Sequence, residues 1–121
     1  MLRRTNRQFT PPADIIELEH KLVVLIEIAG MRTTDFDITL HNRTLTIIGV
    51  RERIPLDNPA YHHQVEINFG EFRIDLDLPR SVQRDGISAV YQHGFLQIEL
   101  PRQTAEQVPI TNLSAEEQDK L

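Results

Sequence analysis

The chain has 121 residues, 40% of them apolar, which suits one ordinary domain with enough side chain to bury a core. It contains no cysteine, which excludes disulfides, thiolate metal sites and a cysteine nucleophile and favours a cytoplasmic setting. The formal net charge of −5 divides into +3 over residues 1–12, −5 over 13–102 and −3 over 103–121, a balance that argues against nucleic acid as a partner.

Residues 1–12 read as a short polar arm. Its Arg3, Arg4 and Arg7 are not followed by an apolar run, so no secretory signal is expected, and terminal arginines of this kind are usually solvated. No apolar stretch approaches the roughly 20 residues of a membrane span. Pro11-Pro12 favours an extended chain and stops a helix.

From Ala13 the pattern has period two. Ala13 to Leu18 is a short predicted strand, and Lys21 to Ala29 a second, with Leu22, Val24, Ile26 and Ile28 on one face. Val23 and Leu25 are apolar as well, which predicts partial cover on the other face. Phe36, Ile38 and Leu40 alternate with Asp37 and Thr39. His41-Asn42-Arg43 turns the chain, with Asn42 suited to a left-handed conformation, and Thr44 to Val50 returns with Leu45 and Ile47 on the side of Leu40.

Residues 51–62 read as a long loop, because Pro55 and Pro59 cannot lie in a central strand. Alternation then resumes: His63, Val65, Ile67 and Phe69 predict a strand, and after Gly70 so do Phe72, Ile74, Leu76 and Leu78, ended by Pro79. Ile87, Ala89 and Tyr91 form the next, His93-Gly94 turns it, and Leu96, Ile98 and Leu100 run back to Pro101. The expected fold is therefore all-β, an immunoglobulin-like sandwich of about eight strands over residues 13–102. Residues 103–121 read as a flexible polar extension. It holds one apolar island, Val108-Pro109-Ile110, and a capping-box pair, Ser114 and Glu117, for a short frayed helix.

Candidate chemistry is sparse. His62 and His63 are adjacent and point to opposite faces of an extended chain, while His20, His41 and His93 fall in predicted turns, so no metal site is expected. Ser88 lies on a strand with no base nearby, and Asp75 and Asp77 read as one solvated strand face rather than a catalytic pair. There is no Gly-rich phosphate loop. The expectation is no catalytic residue, no cofactor, no metal and no small-molecule substrate.

The order of these features resembles the small heat-shock protein family, whose shared part is the α-crystallin domain. Ala13-Asp14-Ile15-Ile16-Glu17 is similar to its opening strand. Lys21-Leu22-Val23-Val24 through Gly30 resembles its second, and Asp35-Phe36-Asp37-Ile38 with Leu45-Thr46-Ile47-Ile48-Gly49 its hairpin. Gly70-Glu71-Phe72 followed by Leu78-Pro79 resembles its Gly-x-Phe…Leu-Pro strand. Ala89, Gly94, Phe95 and Leu96 match its most characteristic element, an Ala followed by Gly-Val-Leu, with Phe95 in place of the Val. Val108, Pro109 and Ile110 match its tail motif. The resemblance covers roughly 90 residues of the 121. Two departures stand out: Ile74 sits where the family usually has Arg, putting an inter-subunit charge contact in doubt, and the arm is shorter and poorer in aromatics.

The resemblance implies an ATP-independent holdase that binds non-native client proteins and itself. The loop Arg53-Ile54-Pro55-Leu56-Asp57-Asn58-Pro59-Ala60-Tyr61-His62 would reach a neighbour and pair with its strand near Asp14, Ile15, Ile16 and Glu17, giving a homodimer. Val108 and Ile110 lie two apart and point the same way in an extended chain that Pro109 stiffens, so they suit a groove at a sheet edge. Candidate groove residues are Phe36, Ile38 and Leu40 on one strand and Phe72, Ile74 and Leu76 on another. A shorter arm implies weaker client binding through the arm and smaller assemblies. The alternative is a non-oligomeric, co-chaperone-like binding module on a related sandwich.

Overall fold

The computed structural model describes residues 8–105 and 108–112. Arg3, Arg4 and Arg7 of the arm and the Ser114/Glu117 pair lie outside the described residues. Seven strands are present: β1 (Ala13–Glu17), β2 (Lys21–Glu27), β3 (Phe36–His41), β4 (Thr44–Arg51), β5 (Gly70–Asp77), β6 (Ser88–Gln92) and β7 (Phe95–Pro101). Among the described residues the one helical piece is a single 3-10 turn, Thr33–Asp35.

The strands form two antiparallel sheets, ordered β1-β2-β7-β6 and β3-β4-β5. The expected sandwich is present with one strand fewer than predicted: residues 63–69 form no strand. Their alternation is real, but Val65 and Ile67 are 61% and 64% exposed, and the segment lies along no sheet edge. Alternation specifies a strand only where a ladder partner and a covering layer exist. The predicted loop therefore runs longer, over residues 52–69.

Period two places one face of each strand inward. Leu22, Val24 and Ile26 of β2 and Leu96, Ile98 and Leu100 of β7 meet Leu45 and Ile47 of β4 and Phe72 and Ile74 of β5, all buried. On β2, Val23 and Leu25 are half-buried, consistent with the partial cover expected from their apolar character. Burying side chains of this size contributes roughly 1.5–3 kcal/mol each.

Turns follow local chemistry. Asn42 takes the expected left-handed conformation, with φ of 55°. His93 and Gly94 both have positive φ, 54° and 81°, as a tight two-residue hairpin demands. Gly94 is needed for a second reason: a Cβ there would approach the Ala29 Cβ at 3.3 Å, where the Gly94 carbonyl accepts from the Ile28 N–H at 2.8 Å. Gly49 is needed for space alone, since a Cβ would lie 2.5 Å from the Phe72 ring.

The end of the arm is built into the body. The Phe9 N–H donates to the Glu71 carbonyl and the Arg73 N–H to the Phe9 carbonyl, both at 3.1 Å, so Phe9 pairs in parallel with the outer edge of β5. The Phe9 ring packs 5.7 Å from Phe72, and Pro11 is buried. An exposed edge invites pairing with other chains, and this short bridge blunts part of one.

Candidate assembly surfaces

Four strands are edges: β1 and β6 of one sheet, β3 and β5 of the other. Each meets a different fate. β5 is partly covered by Phe9. β1 has β2 on one side only, and Ile15, Ile16 and the following Leu18 are exposed. The predicted partner strand Asp14, Ile15, Ile16 and Glu17 is thus an edge with unpaired backbone groups and apolar side chains at the surface.

Residues 53–62 protrude from the body, with Ile54, Leu56 and Tyr61 exposed. Arg53, Ile54, Leu56, Ala60, Val65, Ile67 and Phe69 are among the residues lining an open cleft of about 590 Å³. Apolar residues from both halves of the connection therefore line one cleft. Arg51 holds its base. Its Nε donates to the Asn68 carbonyl at 2.9 Å and its Nη1 to the Ala29 carbonyl at 3.3 Å. Its guanidinium also lies over the rings of Phe9 and Phe69, at 5.1 and 5.7 Å.

The predicted groove needs correcting. β3 and β5 do not share a groove, because β4 lies between them. Phe72 and Ile74 are core residues, 0% and 2% exposed, and cannot line a surface. Leu76 is half-buried on β5, at the opposite edge of that sheet from β3. Phe36, Ile38 and Leu40 do lie half-buried along the β3 edge, and what faces them is β6: the rings of Phe36 and Tyr91 are 5.1 Å apart. The Tyr91 hydroxyl donates to the Ile28 carbonyl at 2.7 Å and accepts from the Met31 N–H at 3.3 Å, fixing the ring across the seam. Ile87 and Tyr91 complete this seam, and sequence reasoning did not assign them to it. The available signal was the alternation Ile87, Ala89, Tyr91 on a strand bounded by turns.

Val108 and Ile110 are 79% and 88% exposed and lie in no strand. They do not touch the seam in the single chain. Of the four motif residues, Leu96 is core, Gly94 serves the hairpin, Ala89 pairs with Ile98 at the β6 edge and is exposed, and Phe95 faces out.

Ile74, where the resemblance leads one to expect Arg, has its side chain in core space. The neighbouring Arg73 faces out and donates from Nε to Asp75 Oδ2 at 2.9 Å, while Thr46 Oγ1 donates to Asp75 Oδ1 at 2.7 Å. These bonds, the one from Arg73 first, hold the Asp75 carboxyl below the usual carboxylate range. Among the described residues no group of three His, Cys, Asp or Glu could hold a metal ion, and no helix is long and apolar enough to cross a membrane.

A family model for the Hsp20/alpha crystallin family matches residues 14–112, from the first edge strand through the exposed apolar tripeptide. The chain belongs to this family. It is 30% identical over 98 residues to a small heat shock protein C2 of Rickettsia felis, covering 81% of this chain and 64% of that one. A probable 15 kDa heat shock protein of Leptospira interrogans is 29% identical over 96 residues, covering 79% of this chain and 72% of that one. The chain thus spans less than two thirds of the Rickettsia relative. Among solved structures, a small heat-shock protein from Xylella fastidiosa superposes with a TM-score of 0.76 at 26% identity, covering 89% of this chain and 99% of that one. The hspA of Xanthomonas axonopodis gives 0.73 at 26% identity, over 83% and 100%. These neighbours share the fold of two packed antiparallel sheets.

Proposed function

We propose that this Hsp20-family chain is an ATP-independent holdase that binds non-native proteins and assembles from exchanged dimers. The observation that carries the reading is that one chain holds both halves of an unfinished contact: a protruding connection with exposed Ile54, Leu56 and Tyr61, and a β1 edge with exposed Ile15 and Ile16. A two-fold partner would use each half twice, pairing residues 53–62 of one protomer with β1 of the other. Pro55 and Pro59 suit such an outlying strand, since neither residue could donate in a central ladder.

The tail provides a second, weaker contact. Val108 and Ile110 would seat in the seam between β3 and β6, against Phe36, Ile38, Leu40, Ile87 and Tyr91. Two small anchors contribute on the order of a few kcal/mol, so such a contact exchanges readily and can expose the seam.

Two measurements test the reading. Light scattering of a heated client enzyme is expected to fall at equimolar subunits, and unchanged scattering sinks the holdase. Native mass is expected to show dimers or larger, and to drop when the chain ends at Gln107. A monomer in both cases supports the non-oligomeric binding module instead.

A further inference from the structure

The outer faces of the two sheets differ. On the three-stranded sheet the outward positions of β3 and β5 are polar, among them Asp37, Thr39, Glu71, Arg73 and Asp75, and they flank Ile48 and Val50 of the central β4. On the four-stranded sheet they include Ile16, Val23, Leu25, Val90 and Phe95. Register sets Leu25, Gln97 and Val90 in one cross-strand row and Glu27, Phe95 and Gln92 in the next. Val90 is 57% exposed and Phe95 42%. Leu25, Val90 and Phe95 surround a hollow of about 340 Å³ on this face. Gln92, His93 and Gln97 complete its lining, and the surrounding face carries carboxylates: Asp14 pairs in register with Leu25, Glu27 with Phe95 and Glu99 with Val23. The cation on this face, Lys21, is already engaged, its Nζ 3.1 Å from Glu99 Oε1.

We propose that this face takes up an extended segment of a non-native polypeptide, with an apolar side chain in the hollow and neighbouring Lys or Arg side chains against Asp14 and Glu27. The inference rests on the chaperone reading and adds a location and a preference to it: apolar segments with basic flanks over apolar segments with acidic ones. Charge also argues against two other occupants. A second copy stacked face to face by a two-fold axis would oppose like carboxylates. The chain beyond residue 102 carries a net −3 and would be repelled by the same carboxylates. Because the face is used through side chains, the edges of β1 and β6 stay free for assembly, so client uptake would not require dimers to come apart.

Fluorescence anisotropy of the intact chain with a labelled peptide of alternating Leu and Lys, and with its Leu-Glu counterpart, tests this. The Leu-Lys peptide is expected to bind about tenfold more tightly, with the gap narrowing in high salt. Val90→Lys should weaken its binding about tenfold, and Glu27→Gln about two- to threefold. Val50→Lys alters a comparably exposed valine, 46%, on the other sheet and should change nothing. Equal binding of the two peptides, or equal effects of Val90→Lys and Val50→Lys, overturns the proposal. So does tighter binding after Arg3, Arg4 and Arg7 are replaced by serine, which would make the chain's own first residues the occupant. If Val90→Lys fails to fold by circular dichroism, the exposed Glu27→Gln decides. Selective peptide binding without suppression of client aggregation would sink the chaperone reading and leave the site standing.

Discussion

The sandwich body and the connection over residues 52–69 use the same vocabulary of alternating apolar and polar residues, with opposite outcomes. In the body, Leu22, Val24, Ile26, Ile98 and Phe72 are fully buried. In the connection, Ile54, Leu56, Val65 and Ile67 are exposed. The difference lies in partners. Each body strand has a ladder neighbour and a facing sheet, whereas the connection has neither within its own chain. Apolar residues in the body contribute to folding. In the connection they remain available for another chain.

Substitutions can break or sharpen this contrast. The largest effect is expected from Phe72→Ala, which empties the centre of the core and should cost about 3–5 kcal/mol in denaturant unfolding at fixed subunit concentration. Gly94→Val should cost about 1–3 kcal/mol, because valine disfavours a φ of 81° and its Cβ would press on Ala29. The double change Ile54→Ser with Leu56→Ser should move the unfolding of the isolated subunit by no more than about 0.5 kcal/mol, while native mass shifts toward monomer. If it destabilises the subunit as much as Phe72→Ala, the contrast between body and connection fails. The smallest effect belongs to Asp75→Asn. The folded-state pKa of Asp75 is lowered, so its contribution is present above the usual carboxylate range and is lost as pH falls through that lowered value. The variant should therefore show a slightly flatter acid limb in a stability–pH profile, with little further difference once Asp75 is protonated.

Much of the body was legible because burial on one face leaves a period of two in the sequence. β2, β3, β4, β5 and β7 were all anticipated to within a few residues on that basis. The strand predicted at 63–69 shows the limit: His63, Val65, Ile67 and Phe69 alternate as cleanly as Phe72 to Leu78, but a pattern within one segment carries no information about its neighbour. The groove was misplaced for a related reason. Phe36 and Phe72 sit on strands that both face inward, yet strand order put β4 between them and brought Tyr91 opposite Phe36. Phe9 is the one aromatic among residues 1–12, and only its backbone pairing with β5 shows it to be part of the body. The motif residues were read by their order, and the structure supplies the physical reason for Gly94 and Leu96. The proposed exchange and tail contact would involve a second chain, which no property of a single chain's core can encode.

Arg51 has a consequence for the kinetics of any partner exchange. One guanidinium touches the carbonyls of Ala29 and Asn68 and the faces of Phe9 and Phe69. Three otherwise separate stretches of backbone, around Phe9, Ala29 and Asn68-Phe69, therefore share one fastening, and loosening any of them weakens the others. In amide hydrogen exchange, the bridge between Phe9 and β5 and the root of the connection should open as one cooperative unit at a free energy below that of global unfolding. Arg51→Ala should split that unit, so that the two segments exchange independently and the connection detaches from a neighbour without first disturbing the body.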